Sequence, residues 1–224
     1  LQPYHDHNGE KVRPHILAAL EAGKRIALVS DAGTPLVSDP GFKLAREVIA
    51  AGHPVIAIPG ASAVLAALAI AGLPTDCFTF AGFPPPKTGA RETWLAEMGR
   101  SPGSLVVYEG ASRLPACLAS MAKVLGDRPA AVCRELTKLH EEARRGTLAG
   151  LAEHYAEAGP PRGEVVIVIG PASETGWDEA RIDAALKRVL AEMRVKDAAA
   201  EIAAQSGWAK RDVYARALAL REKG

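Results

Sequence analysis

Two short apolar runs near the start of the chain are separated by a helical pattern. Residues 25–30 and 54–58 are mostly Ile, Val, Leu and Ala, which is typical of strands buried on both faces. Between them, Asp39 and Pro40 fit a helix N-cap and first helical position, and Gly52 fits a helix end. One face of this helix is apolar, with Leu44, Ala45, Val48 and Ile49. The pattern predicts a strand–helix–strand unit of the kind that builds parallel sheets.

A second set of alternating elements follows Pro74. Short runs rich in β-branched and aromatic residues predict strands at 78–80, 104–108, 130–133 and 164–169. Longer apolar periods predict helices at 111–125 and 148–158. The sequence therefore predicts an α/β fold over its first 170 residues.

The chain changes character after Gly170, where strand signals end. Helices are predicted at 178–193, 195–205 and 210–220. Residues 206–208 separate the last two helices, which therefore resemble a helix-turn-helix pair. We expect a partial N-terminal α/β subdomain at 1–75, a second α/β subdomain at 76–171 and a helical C-terminal domain at 172–224.

Composition and charge exclude few functions. The 224 residues are 48% hydrophobic and 24% charged, which is ordinary for a globular protein. The formal net charge of +1 provides no overall attraction to nucleic acid or membrane, so any basic contact would have to be local. Cys77, Cys117 and Cys133 are widely spaced, so we expect buried thiols in a reducing cytoplasm and no metal site.

The segment richest in candidate chemistry is 29–41, at the carboxyl end of the first predicted strand. Ligands bind at this edge of open α/β sheets, where helix N-termini present free N–H groups. Gly33 permits close backbone approach, and Asp31 is an acceptor suited to a ribose or an amino group. The alternative is a turn followed by a helix cap at Asp39. Residues 59–63 follow the second predicted strand, and their small side chains fit either a flat ligand or close helix packing.

Charged residues follow two later strands. Glu109 and Arg113 lie after one, and Arg134, Glu135 and Lys138 after another. These groups could line one crevice, where burial and mutual charge would shift their pKa values. The alternative is internal ion pairing that ties loops to the sheet.

The helical tail also carries exposed-looking cations. Lys196, Lys210, Arg211 and Arg216 could contact phosphates. A solvated helix face explains them equally well.

Ordered motifs along the chain resemble one known family. They are Ser30-Asp-Ala-Gly-Thr-Pro35, Ser38-Asp-Pro-Gly41, Pro59-Gly60, Gly82-Phe-Pro84, Tyr108-Glu109 with Arg113, Arg134-Glu-Leu-Thr-Lys138 and Gly163-Glu164. Together they resemble the tetrapyrrole methylase family, and within it the members that methylate ribosomal RNA. The similarity runs from about His5 to Gly170, and the helical tail is similar too. The family begins with a further strand–helix–strand unit that this sequence lacks, so we expect an N-terminally truncated form of the two-subdomain fold.

The resemblance implies a methyltransferase that uses S-adenosylmethionine and is usually a homodimer. Its implied activity is methylation of the ribose 2′-OH of a cytidine in small-subunit (16S) ribosomal RNA. The residues implied in cofactor binding are Asp31, Ala32, Gly33, Leu36, Ser62, Ala63, Tyr108, Leu136 and Val166. The loop at 82–88 and the helical tail are implied RNA contacts.

Four charged residues are candidates for the catalytic roles. Glu109 and Glu135 are candidates for a base or for orienting one, while Arg113 and Lys138 are candidates for holding phosphate or lowering the pKa of the 2′-OH. The same fold could instead methylate a small tetrapyrrole. The chain could also be a non-catalytic RNA-binding or ribosome-binding module that contacts its partner through the tail.

Overall fold

The computed structural model describes residues 1–5, 7–31, 33–172, 179–190 and 193–222. It separates into one unit at Leu1–Gly170 and another at Pro171–Gly224. This division lies beside the predicted start of the helical domain at 172, while the boundary at 75 stays a prediction.

A mixed sheet forms the centre of the first unit. Its strands are β1 (Phe78–Phe80), β2 (Ser104–Gly110), β3 (Pro129–Arg134), β4 (Glu142–Thr147) and β5 (Glu164–Ile169). The spatial order is β1-β2-β5-β3-β4. The β1–β2 pair is parallel, and every other neighbouring pair is antiparallel. The strands predicted at 78–80, 104–108, 130–133 and 164–169 are confirmed.

Six helices accompany this sheet in the described part of the first unit. They are α1 (Gly9–Glu21), α2 (Phe42–Ala50), α3 (Ala63–Ala71), α4 (Thr88–Met98), α5 (Leu114–Leu125) and α6 (Leu148–Ala158). A short 3₁₀ turn at Ala111–Arg113 precedes α5. The helices predicted at 111–125 and 148–158 are confirmed apart from this turn.

Strands β2, β3 and β5 bury both of their faces, which explains their apolar sequences. Helices α4, α5 and α6 pack on one face, through a cluster that includes Leu95, Leu118, Leu148, Val107 and Ile167. On the other face, Val64, Ala67, Leu68 and Ala71 of α3 pack against Val106, Ala131, Cys133, Val166 and Val168. Two apolar layers therefore enclose the sheet.

The strands predicted at 25–30 and 54–58 are wrong. Neither segment forms a strand or pairs with another strand among the described residues. Their apolar side chains, including Val29, Ile56 and Ile58, are largely exposed. A strand exists only through hydrogen bonds to a neighbour, and a run of suitable side chains does not supply that neighbour.

The predicted helix start at Asp39 is also wrong. Helix α2 begins at Phe42, and its N-cap is Gly41 with φ of 136°. Residues 38–40 belong to the preceding loop, in which Ser38 has a φ of 55°. The left-handed backbone at Ser38 cannot be part of a helix, so the helix starts later.

Three helices form the described part of the second unit. They are α7 (Glu179–Val189), α8 (Val195–Ser206) and α9 (Lys210–Glu222). Gly207 ends α8 in the left-handed conformation, with φ of 70°, and allows the short turn to α9. The predicted helix-turn-helix pair is confirmed. Across the described ranges of the whole chain, no helix combines the length and apolar character needed to cross a membrane.

Gly103 is a position where only glycine fits, and Gly126 is a matched control. Both have positive φ, at 78° and 76°, but an added Cβ at Gly103 would overlap the Cys77 carbonyl while one at Gly126 meets no atom within 4 Å. We expect Gly103→Ala to lower the free energy of unfolding by about 3 kcal/mol or more. Gly126→Ala should cost only about 1–2 kcal/mol. Urea denaturation measures the free energy of unfolding of both variants. Equal losses of this free energy would contradict the packing described for the start of β2.

Candidate functional site

The alternation of side chains along β2 separates the predicted site residues onto two faces. Tyr108 pairs with Val166, and this row faces α3. Glu109 pairs with Val165, which faces the opposite layer. Directly paired residues share a face, and successive residues point to opposite faces. The structure therefore brings Tyr108 and Val166 together and places Glu109 on the other side of the sheet.

Tyr108 lies at the centre of an apolar and aromatic cluster. The Phe80 and Phe83 rings contact its ring edge-on, with centroids 4.8 Å and 5.5 Å away. Burial raises the pKa of Tyr108, which outweighs the lowering by the nearby backbone N–H of Val64. The phenol is therefore neutral and lies beside the first turn of α3.

Further predicted cofactor residues belong to this cluster. Ala63 and Leu136 are partly buried against the layer that contains Val166. Ser62 is the N-cap of α3, where its hydroxyl accepts a hydrogen bond from the Leu65 N–H at 3.5 Å. The start of α3 thus meets the sheet at Tyr108 and Val166.

The loop at 31–41 lies beside the segment that precedes α3. Thr34 Oγ1 donates to the Ala61 carbonyl at 3.0 Å. A Cβ added at Gly33 would lie 3.8 Å from that same carbonyl oxygen. Asp31 and Leu36 are exposed on this loop. Ala32 lies outside the described residues.

The same loop extends to the segment that follows β1. A Cβ added at Gly82 would lie 3.4 Å from Ser38 Oγ. The Gly82 carbonyl accepts the Tyr108 N–H at 2.8 Å. The loop at 31–41 is therefore adjacent to the backbone that holds Tyr108.

Unusual backbone conformations concentrate in two loops at this place. Among the described residues, the non-glycine residues with positive φ are Leu36, Ser38, Glu135 and Thr137, at 73°, 55°, 49° and 65°. The first two lie in the loop at 31–41, and the others flank Leu136. Such conformations are uncommon for non-glycine residues and cost energy, which makes these two loops candidates for a functional site.

Glu135, Lys138 and Glu164 form a clamp at the base of the second loop. Glu135 Oε1 accepts from the Glu164 N–H at 2.9 Å, and Lys138 Nζ lies 3.0 Å from both carboxylates. The Glu164 N–H, followed by Lys138, lowers the pKa of Glu135. Glu164 and then Glu135 raise the pKa of Lys138. Glu135 is therefore held as a carboxylate, which weakens it as a base.

Glu109 and Arg113 form a separate ion pair. Glu109 is 3% exposed, and its Oε1 lies 2.5 Å from Arg113 Nη2 and 2.7 Å from the Gly110 N. Burial, followed by the charge of Glu109, raises the pKa of the Cys117 thiol. The expectation that Glu109 and Arg113 line one crevice with Glu135 and Lys138 is thus wrong, because each carboxylate has its own cation. Internal ion pairing, the alternative that the sequence left open, is what the structure shows.

Comparison with known proteins identifies the family. A family model described as Tetrapyrrole (Corrin/Porphyrin) Methylases matches residues 2–152, which is more than half of the chain. The chain belongs to the tetrapyrrole methylase family. A second model, described as RsmI C-terminal HTH domain, matches residues 177–221 and covers α7–α9. The family predicted from the ordered motifs is confirmed.

Three similar proteins carry the same name. A protein of Mesorhizobium japonicum named ribosomal RNA small subunit methyltransferase I is 48% identical over 98% of this chain and 75% of its own length. A protein of the same name from Erythrobacter litoralis is 46% identical over 99% of this chain and 78% of its own length. A third, from Mycobacterium tuberculosis, is 45% identical over 84% of this chain and 66% of its own length. The prediction of a methyltransferase agrees with these names.

Solved structures support the same fold. The methyltransferase CobJ matches with a TM-score of 0.54 at 23% identity, covering 72% of this chain and 70% of its own. A uroporphyrin-III C-methyltransferase from Thermus thermophilus, complexed with S-adenosylhomocysteine, matches with a TM-score of 0.50 at 21% identity, covering 73% of each chain. The predicted α/β tetrapyrrole-methylase fold with a helical C-terminal part is confirmed.

Two features of the site were not predicted from the sequence. Phe80 and Phe83 flank Tyr108, although they lie on a different strand and loop and only the strand pairing reveals them. Gly163 lies beneath Glu135, because a Cβ there would overlap the Glu135 carboxylate. The adjacent Gly163-Glu164 motif was a signal for this contact. Among the described residues, no cluster of His, Cys, Asp or Glu is arranged to hold a metal.

Gly163→Ala tests the clamp, with Gly159→Ala in the same loop as its control. Both glycines have positive φ, but a Cβ at Gly159 meets no atom within 4 Å. Each variant should lose about 1–2 kcal/mol of unfolding free energy. Only Gly163→Ala should displace the Glu135 carboxylate and raise its pKa toward the ordinary value, as measured by NMR titration. An unchanged Glu135 pKa in Gly163→Ala would contradict the clamp.

Proposed function

We propose that this chain binds S-adenosylmethionine where the start of α3 meets the Tyr108–Val166 face of the sheet. It transfers the methyl group to the ribose 2′-OH of a cytidine in small-subunit ribosomal RNA. The observation that carries this proposal is the convergence of Ala63, Tyr108, Leu136 and Val166 beneath two loops with left-handed residues. The 48% identity to a relative named ribosomal RNA small subunit methyltransferase I supports the RNA substrate.

The residues at this place fit such a cofactor. Gly33, Ala61 and Ala63 are small, so the backbone of two loops is accessible to a flat group. The Tyr108–Val166 row supplies an apolar wall for an adenine ring. Asp31 is exposed and can accept hydrogen bonds from ribose hydroxyls. The whole of the predicted cofactor set, including Ala32, Leu36 and Ser62, stays part of the proposal.

The chain contributes mainly through alignment. When bound, S-adenosylmethionine supplies a methyl group on a positively charged sulfur. A ribose hydroxyl is a weak nucleophile, so holding its oxygen in line with that methyl is the step that the protein must provide. The loop clamped by Glu135, Lys138 and Glu164 holds Leu136 in the cluster and fixes one wall. We assign Glu135 and Lys138 this positioning role.

Glu109 and Arg113 also fit a positioning role. Their ion pair follows directly after Tyr108 in the chain and ties the end of β2 to the turn before α5. A carboxylate that is 3% exposed and paired with a guanidinium does not contact an RNA hydroxyl. We therefore propose that this pair fixes the end of β2 that carries Tyr108.

The proposed RNA contact near the cofactor is the loop at 82–88. Phe83 is 55% exposed while its ring contacts Tyr108, so one residue connects the outer surface with the cofactor wall. An exposed aromatic ring can stack on an unpaired base. The cytoplasm, as the place of ribosome assembly, and a homodimer, as the resemblance implies, belong to the same proposal.

Two measurements test this function together. Calorimetry should detect S-adenosylmethionine binding, and incubation with undermethylated small ribosomal subunits should produce a 2′-O-methylcytidine in the RNA. Cofactor binding with transfer only to a tetrapyrrole would favour that alternative substrate. Ribosome binding without any cofactor binding would favour the non-catalytic module.

Ala63→Leu tests the position of the cofactor, and Ala69→Leu on the exposed side of the same helix is its control. Ala63 is partly buried in the Tyr108 cluster, whereas Ala69 is exposed. The larger side chain at 63 occupies the space assigned to the cofactor, so its affinity should fall at least about tenfold. Ala69→Leu should bind S-adenosylmethionine with the affinity of the unmodified chain. Equal affinities in the two variants would place the cofactor elsewhere.

Glu109→Gln separates positioning from base catalysis. Loss of the ion pair with Arg113 should lower the free energy of unfolding by about 1–3 kcal/mol. Because Glu109 positions Tyr108 and transfers no proton, the methyl-transfer rate per folded molecule should fall only in part, and its pH profile should stay unchanged. Normal cofactor binding with abolished transfer would instead make Glu109 the base.

A further inference from the structure

Helix α9 presents one face that its own unit does not cover. The three-helix core contains Ile182, Leu186, Val195, Ala198, Ala199, Ile202, Val213 and Ala217. These residues fix α9 against α7 and α8. Lys210, Tyr214 and Leu218 recur at the spacing of one helix turn and are exposed. This stripe is therefore available to a partner.

A shallow concavity lies between the start of α8 and this stripe. Its volume is about 430 Å³, and its lining is Lys196, Lys210, Arg211 and Tyr214. All of these residues are exposed, and Tyr214 is 40% exposed. The lining brings three cations and one aromatic ring together, although the chain as a whole has a formal net charge of only +1.

The cations of this unit differ in their partners. Arg216 forms ion pairs of 2.8 Å with both Asp183 and Glu179, so it belongs to the internal structure. Lys196 and Lys210 form no ion pair within the part of the chain that the structure describes. Arg211 has only the neighbouring Asp212, in a pair whose Arg side chain is 91% exposed and which contributes little in water. The cations of the concavity are therefore free to bind an external anion.

We propose that the concavity of Lys196, Lys210, Arg211 and Tyr214 binds RNA. The cations contact backbone phosphates, and the Tyr214 ring stacks on an unpaired base. Phosphate contacts provide affinity, and stacking favours single-stranded loops over a paired helix. The choice of RNA as the nucleic acid rests on the proposed function.

The composition of α9 favours this ligand over duplex DNA. A helix that reads the major groove uses Asn, Gln or Arg side chains to contact base edges, and Arg211, in the first turn of α9, is the residue of this kind in the concavity. One turn into α9 the exposed residue is Tyr214, and Leu218 follows one turn later. A phenol ring and an aliphatic side chain contact the faces of bases better than their edges. An unpaired RNA loop beside its own phosphates therefore fits these residues better than a DNA groove.

The test measures binding to the full chain of a fluorescein-labelled RNA stem-loop with an unpaired loop. Lys210→Ala combined with Arg211→Ala removes two charges from the concavity. Lys187→Ala combined with Arg188→Ala removes two exposed charges from α7 and is the matched control. Tyr214→Ala and Tyr214→Phe separate the ring from the hydroxyl. Thermal unfolding and S-adenosylmethionine affinity are measured for every variant.

We expect the slope of log affinity against log salt to fall by about 1–2 in the Lys210–Arg211 double variant, and not in the control. Tyr214→Ala should weaken binding by about fivefold or more, while Tyr214→Phe keeps the affinity. All variants should bind S-adenosylmethionine like the unmodified chain.

Several outcomes would overturn the proposal. The first is an equal loss of RNA affinity in the Lys210–Arg211 double variant and in its α7 control. The second is equal affinity of the chain for a DNA stem-loop of the same sequence. The third is displacement of the labelled RNA by poly-glutamate as effectively as by unlabelled RNA. Failure of the proposed function gives a different result. A chain that binds the RNA through these residues but transfers no methyl group would reject the methyltransferase and keep this surface.

Discussion

The packing of α3 on one face of the sheet is the interaction on which the candidate site depends. Val64, Ala67, Leu68 and Ala71 bury one side of the helix against the sheet. The first turn is capped by the Ser62 hydroxyl, which accepts the Leu65 N–H at 3.5 Å, and the Val64 N–H lies beside the Tyr108 hydroxyl. At the other end, the Arg145 guanidinium donates to the Ile70 carbonyl, with Nε at 3.1 Å. Because both ends are held, the small residues before α3 lie at a defined place beside Tyr108.

The alternation of side chains along the strands then decides what each residue can do. Tyr108 and Glu109 are neighbours in sequence, yet one faces α3 and the other is buried beside α5. Glu109 pairs with Arg113, and Glu135 and Glu164 both pair with Lys138, so these charges stabilise loops instead of exposing a reactive base. The proposed chemistry follows from this: the protein aligns two reactants in a small and largely apolar site.

The strands and helices from 78 to 170 could be predicted because their sequences match structures that are buried on both faces. Two elements there escaped prediction, helix α4 and strand β4. Strand β4 is polar and lies at the edge of the sheet, so its sequence lacks an apolar pattern. The segments at 25–30 and 54–58 have that pattern but no partner among the described residues. Apolar periodicity thus predicts which segments can be strands, and only the tertiary structure determines which ones pair.

The candidate site was predictable in part. The ordered motifs identified the cofactor residues, and the structure brings Ala63, Tyr108, Leu136 and Val166 together. The roles of the carboxylates were not predictable, because strand alternation and ion pairing depend on contacts between distant segments. Phe83 illustrates the same limit, since its contact with Tyr108 arises from the parallel pairing of β1 with β2.

NMR of methyl groups in the apolar layers on the two faces of the sheet tests most directly where the cofactor binds. The chain, isotope-labelled at Val and Leu methyl groups, is titrated with S-adenosylmethionine and followed by NMR. Val166 and Leu136 lie on the α3 side, and Val165 and Leu105 lie in the opposite layer. The account predicts saturable shifts for Val166 and Leu136, with Val165 and Leu105 changing little. Larger shifts at Val165 and Leu105 than at Val166 and Leu136 would contradict it.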